Sequence, residues 1–128
     1  MYQLRIVPEK ALILVTFTGP TNIDDMNALT LSMVEHPDFR KEFNGVCDYR
    51  SADVQVTAEE MEDFSKVAVE EDLARGAWYM MVSDPHDTAL MTLFKRFLKS
   101  QHPVDLYSTV AAVSTKLGQD LSEYYKET

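Results

Sequence analysis

The sequence predicts a single α/β domain in which one mixed β-sheet, an N-terminal hairpin followed by strand–helix units, is flanked by about four helices. Two apolar segments separated by Pro8 open the chain, and segments of strand length then alternate with segments of helical periodicity. Such alternation is typical of parallel strands joined by crossover helices. A length of 128 residues, 45% of them hydrophobic, suits one core and one domain.

The opening hairpin is predicted from two strand patterns. Tyr2–Val7 alternates between a more apolar and a wetter side, and Pro8 begins a turn after it. Residues 11–17 are rich in branched and aromatic side chains, so we place them deeper in the sheet, antiparallel to the first strand. Gly19 and Pro20 are expected to end this second strand.

The first helix is predicted at residues 22–35. Thr21 and Asp24 have the spacing of a capping box, and His36 with Pro37 closes the segment. The apolar residues recur at helical spacing: Ile23, Met26, Leu29 and Met33, with Thr30 beside them. Residues 45–49 are then predicted as a short buried strand, and residues 50–56 as irregular.

A second capping box, Thr57 with Glu60, predicts a helix that runs to about residue 74. Its apolar stripe includes Met61 and Phe64, and Gly76 stands where a C-terminal cap would. Residues 77–82 are almost continuously apolar, which favours a strand covered on both faces. The polar turn 83–88 ends that strand.

The third helix follows this turn. We predict that Leu90, Leu93, Phe94 and Phe97 form its buried face, which leaves Met91 and Leu98 outside the stripe. Val104–Tyr107 is predicted as the last strand and residues 109–121 as the last helix, with Val110, Val113 and Leu117 inward. The domain is therefore assigned to residues 1–121, with a frayed tail at 122–128.

The charge balance limits the classes of molecule that the protein is expected to bind. Twelve basic and 21 acidic residues give a net charge of -9, which repels nucleic acid and anionic membranes. No apolar stretch approaches the roughly 20 residues of a membrane span, so no membrane insertion is expected. A lone cysteine, Cys47, excludes an intramolecular disulfide, and the first ten residues lack a signal-peptide core. We expect a cytoplasmic protein.

Polar residues at two strand exits are the candidate ligand-binding site: Asp48, Arg50 and Ser51 after one strand, and Asp84, His86 and Thr88 after another. In open α/β sheets ligands favour the crevice at the carboxyl ends of the strands. The same residue types also form ordinary turns and helix caps, and this is the competing interpretation. His36, His86 and His102 each adjoin a proline without metal-ligand spacing, so we predict no metal, no cofactor and no assigned catalytic residue.

The chain resembles the SpoIIAA-like group of the STAS-like proteins in nearly all of its length. The resembling features are the hairpin ending in Phe17-Thr18-Gly19, the segment Val46-Cys47-Asp48-Tyr49-Arg50, the strand from Trp78 to Val82 entering the helix with Phe94 and Phe97, and the closing unit at 104–121. The resemblance implies a four- or five-stranded mixed sheet. Regulatory relatives carry a phosphorylated Ser or Thr directly after an Asp, whereas here Ser51 is displaced from Asp48, so that switch is not expected.

Two functional hypotheses remain open. The first is a non-enzymatic STAS-like binding or regulatory module for a protein partner or a small apolar ligand. The second is a small hydrolase or isomerase that uses Asp84 and His86 for acid–base chemistry. A protein partner could contact the basic cluster Lys95, Arg96 and Lys99. We also expect a homodimer, because the hairpin leaves an open sheet edge that is weakly protected by Gln3 and Arg5. Met91 and Leu98, outside the buried stripe of the third helix, offer a helix face as a second route to association.

Overall fold

The computed structural model describes residues 1–98 and 103–127, so Lys99 and His102 lie outside the described residues. Five strands and four α-helices are present in this part of the chain. The strands are β1 (Tyr2–Val7), β2 (Leu12–Thr21), β3 (Asn44–Val54), β4 (Trp78–Met81) and β5 (Val104–Tyr107). The helices are α1 (Ile23–Glu35), α2 (Ala58–Glu70), α3 (Pro85–Leu98) and α4 (Val110–Leu117).

All five strands form one mixed sheet in the order β1-β2-β3-β4-β5. β1 pairs antiparallel with β2, and the other neighbours are parallel. The predicted mixed sheet with an N-terminal hairpin is therefore confirmed. β4 lies between β3 and β5, and Trp78 and Met80 are buried, as expected for an interior strand.

The two faces of the sheet are covered differently. α1, α2 and α3 pack on one face, where they form the larger core with Phe17, Tyr49 and Met80. α4 covers the other face together with the C-terminal residues, around Leu14, Val46 and Met81. α2 packs closely against α3 but makes few contacts with α1. This uneven helix spacing leaves the gap that is described below as a cavity.

β2 and β3 are longer than predicted. β2 continues through Gly19 and Pro20 to Thr21, paired with β3 as far as Val54. β1 reaches back only to Phe17 of β2, so beyond that residue β2 has a single neighbouring strand. Proline is tolerated at such an edge because its missing N–H faces no partner.

α1 ends at Glu35 as predicted, whereas other helix ends differ from prediction by one to four residues. Asn22, rather than Thr21, caps α1, and its side chain forms a capping box with Asp25. Thr21 is the buried end of β2 instead. The capping box Thr57 with Glu60 is confirmed at α2.

α2 ends at Glu70, well before the expected residue 74. Asp72 then adopts a left-handed backbone conformation with φ of 51°. Gly76 is not the cap, because Glu71 occupies that position at the end of α2. A Cβ at Gly76 would collide with the backbone carbonyl of Phe43. Its role is therefore a close backbone approach.

The predicted buried face of α3 is wrong in part. Leu90 and Phe94 are buried as expected, but Met91 and Leu98 are also buried. The predicted members Leu93 and Phe97 are only partly buried. The real stripe lies between α2 and the sheet, so it is rotated towards Met91 relative to the predicted one.

The prediction of a frayed tail at residues 122–128 is wrong for residues 122–127. α4 ends at Leu117, and Gly118 caps it in the left-handed conformation with φ of 77°. Leu121 and Tyr125 are then buried against the sheet. The Tyr125 hydroxyl donates to the Val15 carbonyl oxygen at 3.0 Å. The tail therefore belongs to the folded domain, because its apolar side chains cover strands that the short α4 leaves open.

Candidate functional site

Asp48 and Arg50, two of the predicted site residues, bind each other. The Asp48 carboxylate accepts from Arg50 Nε at 2.9 Å, from Arg50 Nη2 at 3.1 Å and from the Arg50 backbone N–H at 3.0 Å. β3 carries one extra residue here, because Asp48 pairs with Thr16 and Ser51 pairs with Thr18. Such a bulge redirects a side chain, so it accounts for Arg50 folding back onto Asp48.

The C-terminal tail covers this ion pair. Arg50 Nη2 also donates to the Lys126 carbonyl oxygen at 2.8 Å, and Arg50 Nη1 lies 3.5 Å from Glu127 Oε1. The side chains of Asp48 and Arg50 are only 10% and 4% exposed. Because both charged groups are paired and covered, they are not available to a ligand in this structure. Ser51 is exposed and lines neither of the two cavities described below.

The second set of predicted residues forms the first turn of α3. Asp84 Oδ1 accepts from the Asp87 N–H at 2.8 Å, and the Thr88 hydroxyl donates to the Asp84 carbonyl oxygen at 2.7 Å. The first contact caps the helix, because it satisfies a backbone N–H that a helix N-terminus leaves unpaired. The second is a side-chain bond to the backbone carbonyl one turn earlier. His86 is exposed, and its Nδ1 lies 3.1 Å from Asp87 Oδ1 rather than beside Asp84.

Asp87 is a buried polar residue beside this turn that no sequence pattern singled out. It is 2% exposed, and it lies on the buried face of α3 beside Leu90 and Met91. Burial raises the pKa of its carboxyl group, while the hydrogen bond with His86 opposes that shift. Asp84, His86 and Asp87 offer ligand atoms within 4.8 Å of one another. Two of the three are exposed residues of a helix N-terminus, so we assign no metal to them.

The two predicted sets are not brought into one crevice. Ser83, the residue before Asp84, donates a hydrogen bond of 3.4 Å from its Oγ to the Arg50 carbonyl oxygen. Asp48 and Arg50 lie under the tail, whereas Asp84, His86 and Thr88 are exposed at the start of α3. The common polar pocket expected at this sheet edge therefore does not form from these residues.

An apolar cavity lies instead between the helices α1, α2 and α3 and the sheet, and we call it the α1–α2 cavity. Its volume is about 70 Å³. Aromatic residues line it from strands and helices: Phe17, Tyr49, Phe64, Trp78 and Phe94. Four methionines add flexible walls: Met26, Met33, Met80 and Met91. None of the six predicted site residues lines this space.

The few polar side chains of the lining are mostly satisfied within the protein. The Thr30 hydroxyl donates to the Met26 carbonyl oxygen at 2.9 Å. Burial raises the pKa of both Cys47 and Tyr49, that of Cys47 to about 12. A thiol with so high a pKa is a poor nucleophile at neutral pH. Trp78 Nε1 is the exception, since no acceptor contacts it in the described part of the chain.

A second, more open cavity lies beside β1 on the other face of the sheet. Arg5 and Thr16 line it together with the tail residues Glu123, Tyr124 and Tyr125. The Arg5 guanidinium lies 4.8 Å from the centroid of the Tyr124 ring. This cavity is a shallow space between strand side chains and the tail, half polar in character.

The chain matches no known family model and no curated protein sequence. Among the described residues, no helix has both the length and the apolar character needed to cross a membrane.

Proposed function

We propose that this protein is a non-enzymatic binding module whose ligand is a small apolar molecule held in the α1–α2 cavity. The observation that carries the proposal is an apolar space between three helices and a sheet, walled by Phe, Met, Leu and Trp side chains. Natural cores pack at crystal-like density and hold few voids larger than a water molecule. A space of about 70 Å³ with this lining favours a small apolar occupant over water.

The side chains that line the cavity also allow it to change shape around a ligand. An engineered apolar cavity of roughly 150 Å³ binds benzene, and a five-carbon ring is about as large as benzene, so the α1–α2 cavity must widen to hold one. Methionine has three rotatable bonds and a polarizable sulfur, and four methionines surround the space. Modest shifts of Met26 and Met33 on α1 would enlarge it without moving the sheet.

The acid–base alternative gains less support. His86 is exposed, contacts Asp87 instead of Asp84, and does not line the α1–α2 cavity. A general base must reach a bound substrate within about 3 Å or through one water. An enzyme reaction at Asp84 and His86 would therefore need a substrate site that these residues do not form with Asp48.

We further propose that the protein has a regulatory role of the STAS-like kind and a cytoplasmic location. The support is limited to the mixed sheet with an N-terminal hairpin, which agrees with what the resemblance implies. The Asp48–Arg50 pair gives Ser51 no phosphoserine-like setting, since the charged groups beside it are already paired. Ligand binding in the α1–α2 cavity would act by changing how α1 sits on the sheet.

The test is a titration of the ¹³C-methyl-methionine protein with cyclopentane, followed by NMR. We expect saturable shifts at Met26, Met33, Met80 and Met91, which line the cavity. Met61 and Met81 are equally buried but lie outside the lining, so their NMR signals should not shift during the titration. This contrast separates cavity binding from general solvent effects.

Two variants test whether the ligand occupies the α1–α2 cavity. Ala68→Leu fills the cavity from α2 and should weaken cyclopentane binding at least about tenfold, because the added side chain occupies the ligand space. Ala89→Leu makes the same change at an exposed position of α3 and should leave binding unaltered. Absence of saturable shifts in the unaltered protein, or equal binding by both variants, would overturn the proposal.

A further inference from the structure

We infer that the N-terminus of α4 and the Arg50 side chain form a binding site for a small tetrahedral oxyanion of the phosphate or phosphonate class, which the Glu127 carboxylate occupies in this structure. Glu127 Oε1 accepts from the Val110 N–H at 2.7 Å, and Oε2 accepts from the Ala111 N–H at 2.9 Å. These amides open α4, so they are among the donors that a helix leaves unpaired, and such donors favour anions. The site is separate from the α1–α2 cavity and does not rest on the proposed function.

Arg50 supplies a third donor that the tail carboxylate leaves unused. Its side chain is only 4% exposed, and its Nε and Nη2 are bonded to Asp48 and to the Lys126 carbonyl oxygen. Nη1, by contrast, makes no hydrogen bond in the described part of the chain. It lies 3.5 Å from Glu127 Oε1, so it faces the carboxylate without a hydrogen bond to it. A buried donor without an acceptor is uncommon, because the loss of its hydration is not offset.

The number of donors favours a tetrahedral anion over a carboxylate. A carboxylate has two oxygens, and both oxygens of Glu127 are engaged by the amides of Val110 and Ala111. A phosphate or phosphonate group offers a further oxygen, so two can replace those of Glu127 while another accepts from Arg50 Nη1. Hydrogen bonds from a guanidinium to such an anion are charge-assisted and are stronger than neutral ones.

The Glu127 side chain can leave the site while the rest of the tail stays in place. It is 50% exposed, so rotation about its own side-chain bonds brings the carboxylate into water. The Lys126 carbonyl oxygen remains bonded to Arg50 Nη2, and buried Tyr125 anchors the chain before it. An oxygen in the position of Oε1 lies 2.7 Å from the first amide of α4 and 3.5 Å from Arg50 Nη1. A ligand that replaces the carboxylate is therefore within reach of these donors.

The experiment titrates methylphosphonate and acetate into the Glu127→Ala variant and follows the amide signals of Val110 and Ala111 by NMR. In mildly acidic buffer both probes carry mainly a single negative charge, so the net charge of -9 opposes them equally. Methylphosphonate should move both amide protons downfield in a saturable manner. Acetate should bind at least about threefold more weakly, because it lacks the oxygen that would accept from Arg50 Nη1.

A comparison with the unaltered protein tests whether Glu127 occupies the ligand site. Glu127→Ala should bind methylphosphonate at least about tenfold more tightly, because in the unaltered chain the anion binds only those molecules whose carboxylate has left the site. Glu123→Ala removes the same charge from an exposed tail residue that pairs with Lys10, and it should leave the affinity near that of the unaltered protein. Equal tightening by both variants would assign the effect to net charge and overturn the inference.

The variant Arg50→Lys, made in the Glu127→Ala background, tests the third donor. Lysine keeps the positive charge but lacks Nη1, so the preference for methylphosphonate over acetate should disappear. A preference that persists in a folded double variant would overturn the role of Arg50. Should the double variant fail to fold, the Glu127→Ala variant still decides the question. Acetate binding as tightly as methylphosphonate there, or no saturable shift of either amide, would overturn the inference.

Discussion

At the residue scale, Asp48 and Arg50 illustrate how polar groups at a strand exit become structural. Three hydrogen bonds join them, and the tail buries both side chains. Taking charges out of water is costly, and mutual pairing offsets that cost only while both partners are present. The pair is therefore expected to matter for folding more than for ligand recognition.

Replacing Asp48 by Asn should destabilise the protein by about 3–5 kcal/mol, because the buried Arg50 guanidinium would lose its charged partner. Urea denaturation measures the change. Asp84→Asn is the matched control, since Asn caps a helix about as well as Asp and residue 84 is exposed. Equal midpoints for the two variants would show that the Asp48–Arg50 pair contributes nothing beyond a surface ion pair.

A second prediction at the residue scale concerns the buried hydroxyl of Tyr125. Its hydroxyl donates to the Val15 carbonyl oxygen at 3.0 Å from a buried position. Tyr125→Phe should lower the free energy of unfolding by about 0.5–1.5 kcal/mol, or more where the Val15 oxygen stays unpaired. Tyr124→Phe removes a hydroxyl that lies at the surface beside Lys10 and should cost less. The difference in thermal midpoint between the two variants checks the assignment.

At the scale of elements, local patterns predicted which segments form helices and strands, and tertiary contacts decided where they end. The bounds of β1 and β5 and the cap of α2 follow from alternation and from one capping box. The extension of β3 to Val54 depends on pairing with β2, which no local pattern reports. The buried face of α3 likewise depends on the position of α2.

The docking of the tail on α4 gives a pH-dependent prediction. Glu127 accepts from the N–H groups of Val110 and Ala111 at 2.7 and 2.9 Å, and these bonds lower its pKa below the ordinary 4.5. A depressed carboxyl pKa stabilises the docked tail above pH 4.5, and this stabilisation is lost as pH falls through the folded pKa. The arrangement also places a negative charge at the positive end of the α4 dipole.

Amide hydrogen exchange at Tyr124 and Tyr125 measures the docking. Protection should decline below pH 4.5 in the unaltered chain, beyond the intrinsic pH dependence of exchange. Glu127→Gln should show weaker protection at neutral pH and no such decline. Glu123→Gln, which removes a surface contact with Lys10, is the control. A decline that persists in Glu127→Gln would assign it to another carboxylate.

At the scale of the whole molecule, the strand order explains why the predicted polar crevice is absent. The parallel strands follow one another as β2-β3-β4-β5, and the three crossover helices share one face. Ligand crevices at strand ends open where the winding direction reverses, and this sheet has no reversal within the described residues. The α1–α2 cavity arises from uneven helix spacing, which no residue pattern records.

The last prediction concerns association of the whole molecule. Buried Met91 and Leu98 remove the helix face that was expected to support a homodimer. β1 still lies at the edge of the sheet, and exposed edges favour pairing with a second strand. The net charge of -9 opposes contact between two copies, and salt screens it with a Debye length of about 8 Å at 0.15 M.

We therefore expect a homodimer through β1 that is more populated at high salt in sedimentation equilibrium. Gln3 is exposed on β1, so Gln3→Glu adds two negative charges at a twofold β1 interface and should weaken the dimer. Gln55→Glu makes the same charge change at an exposed position beyond β3 and should not. A monomer mass at both salt concentrations would reject the dimer, and equal weakening by both variants would assign the effect to net charge rather than to the β1 edge.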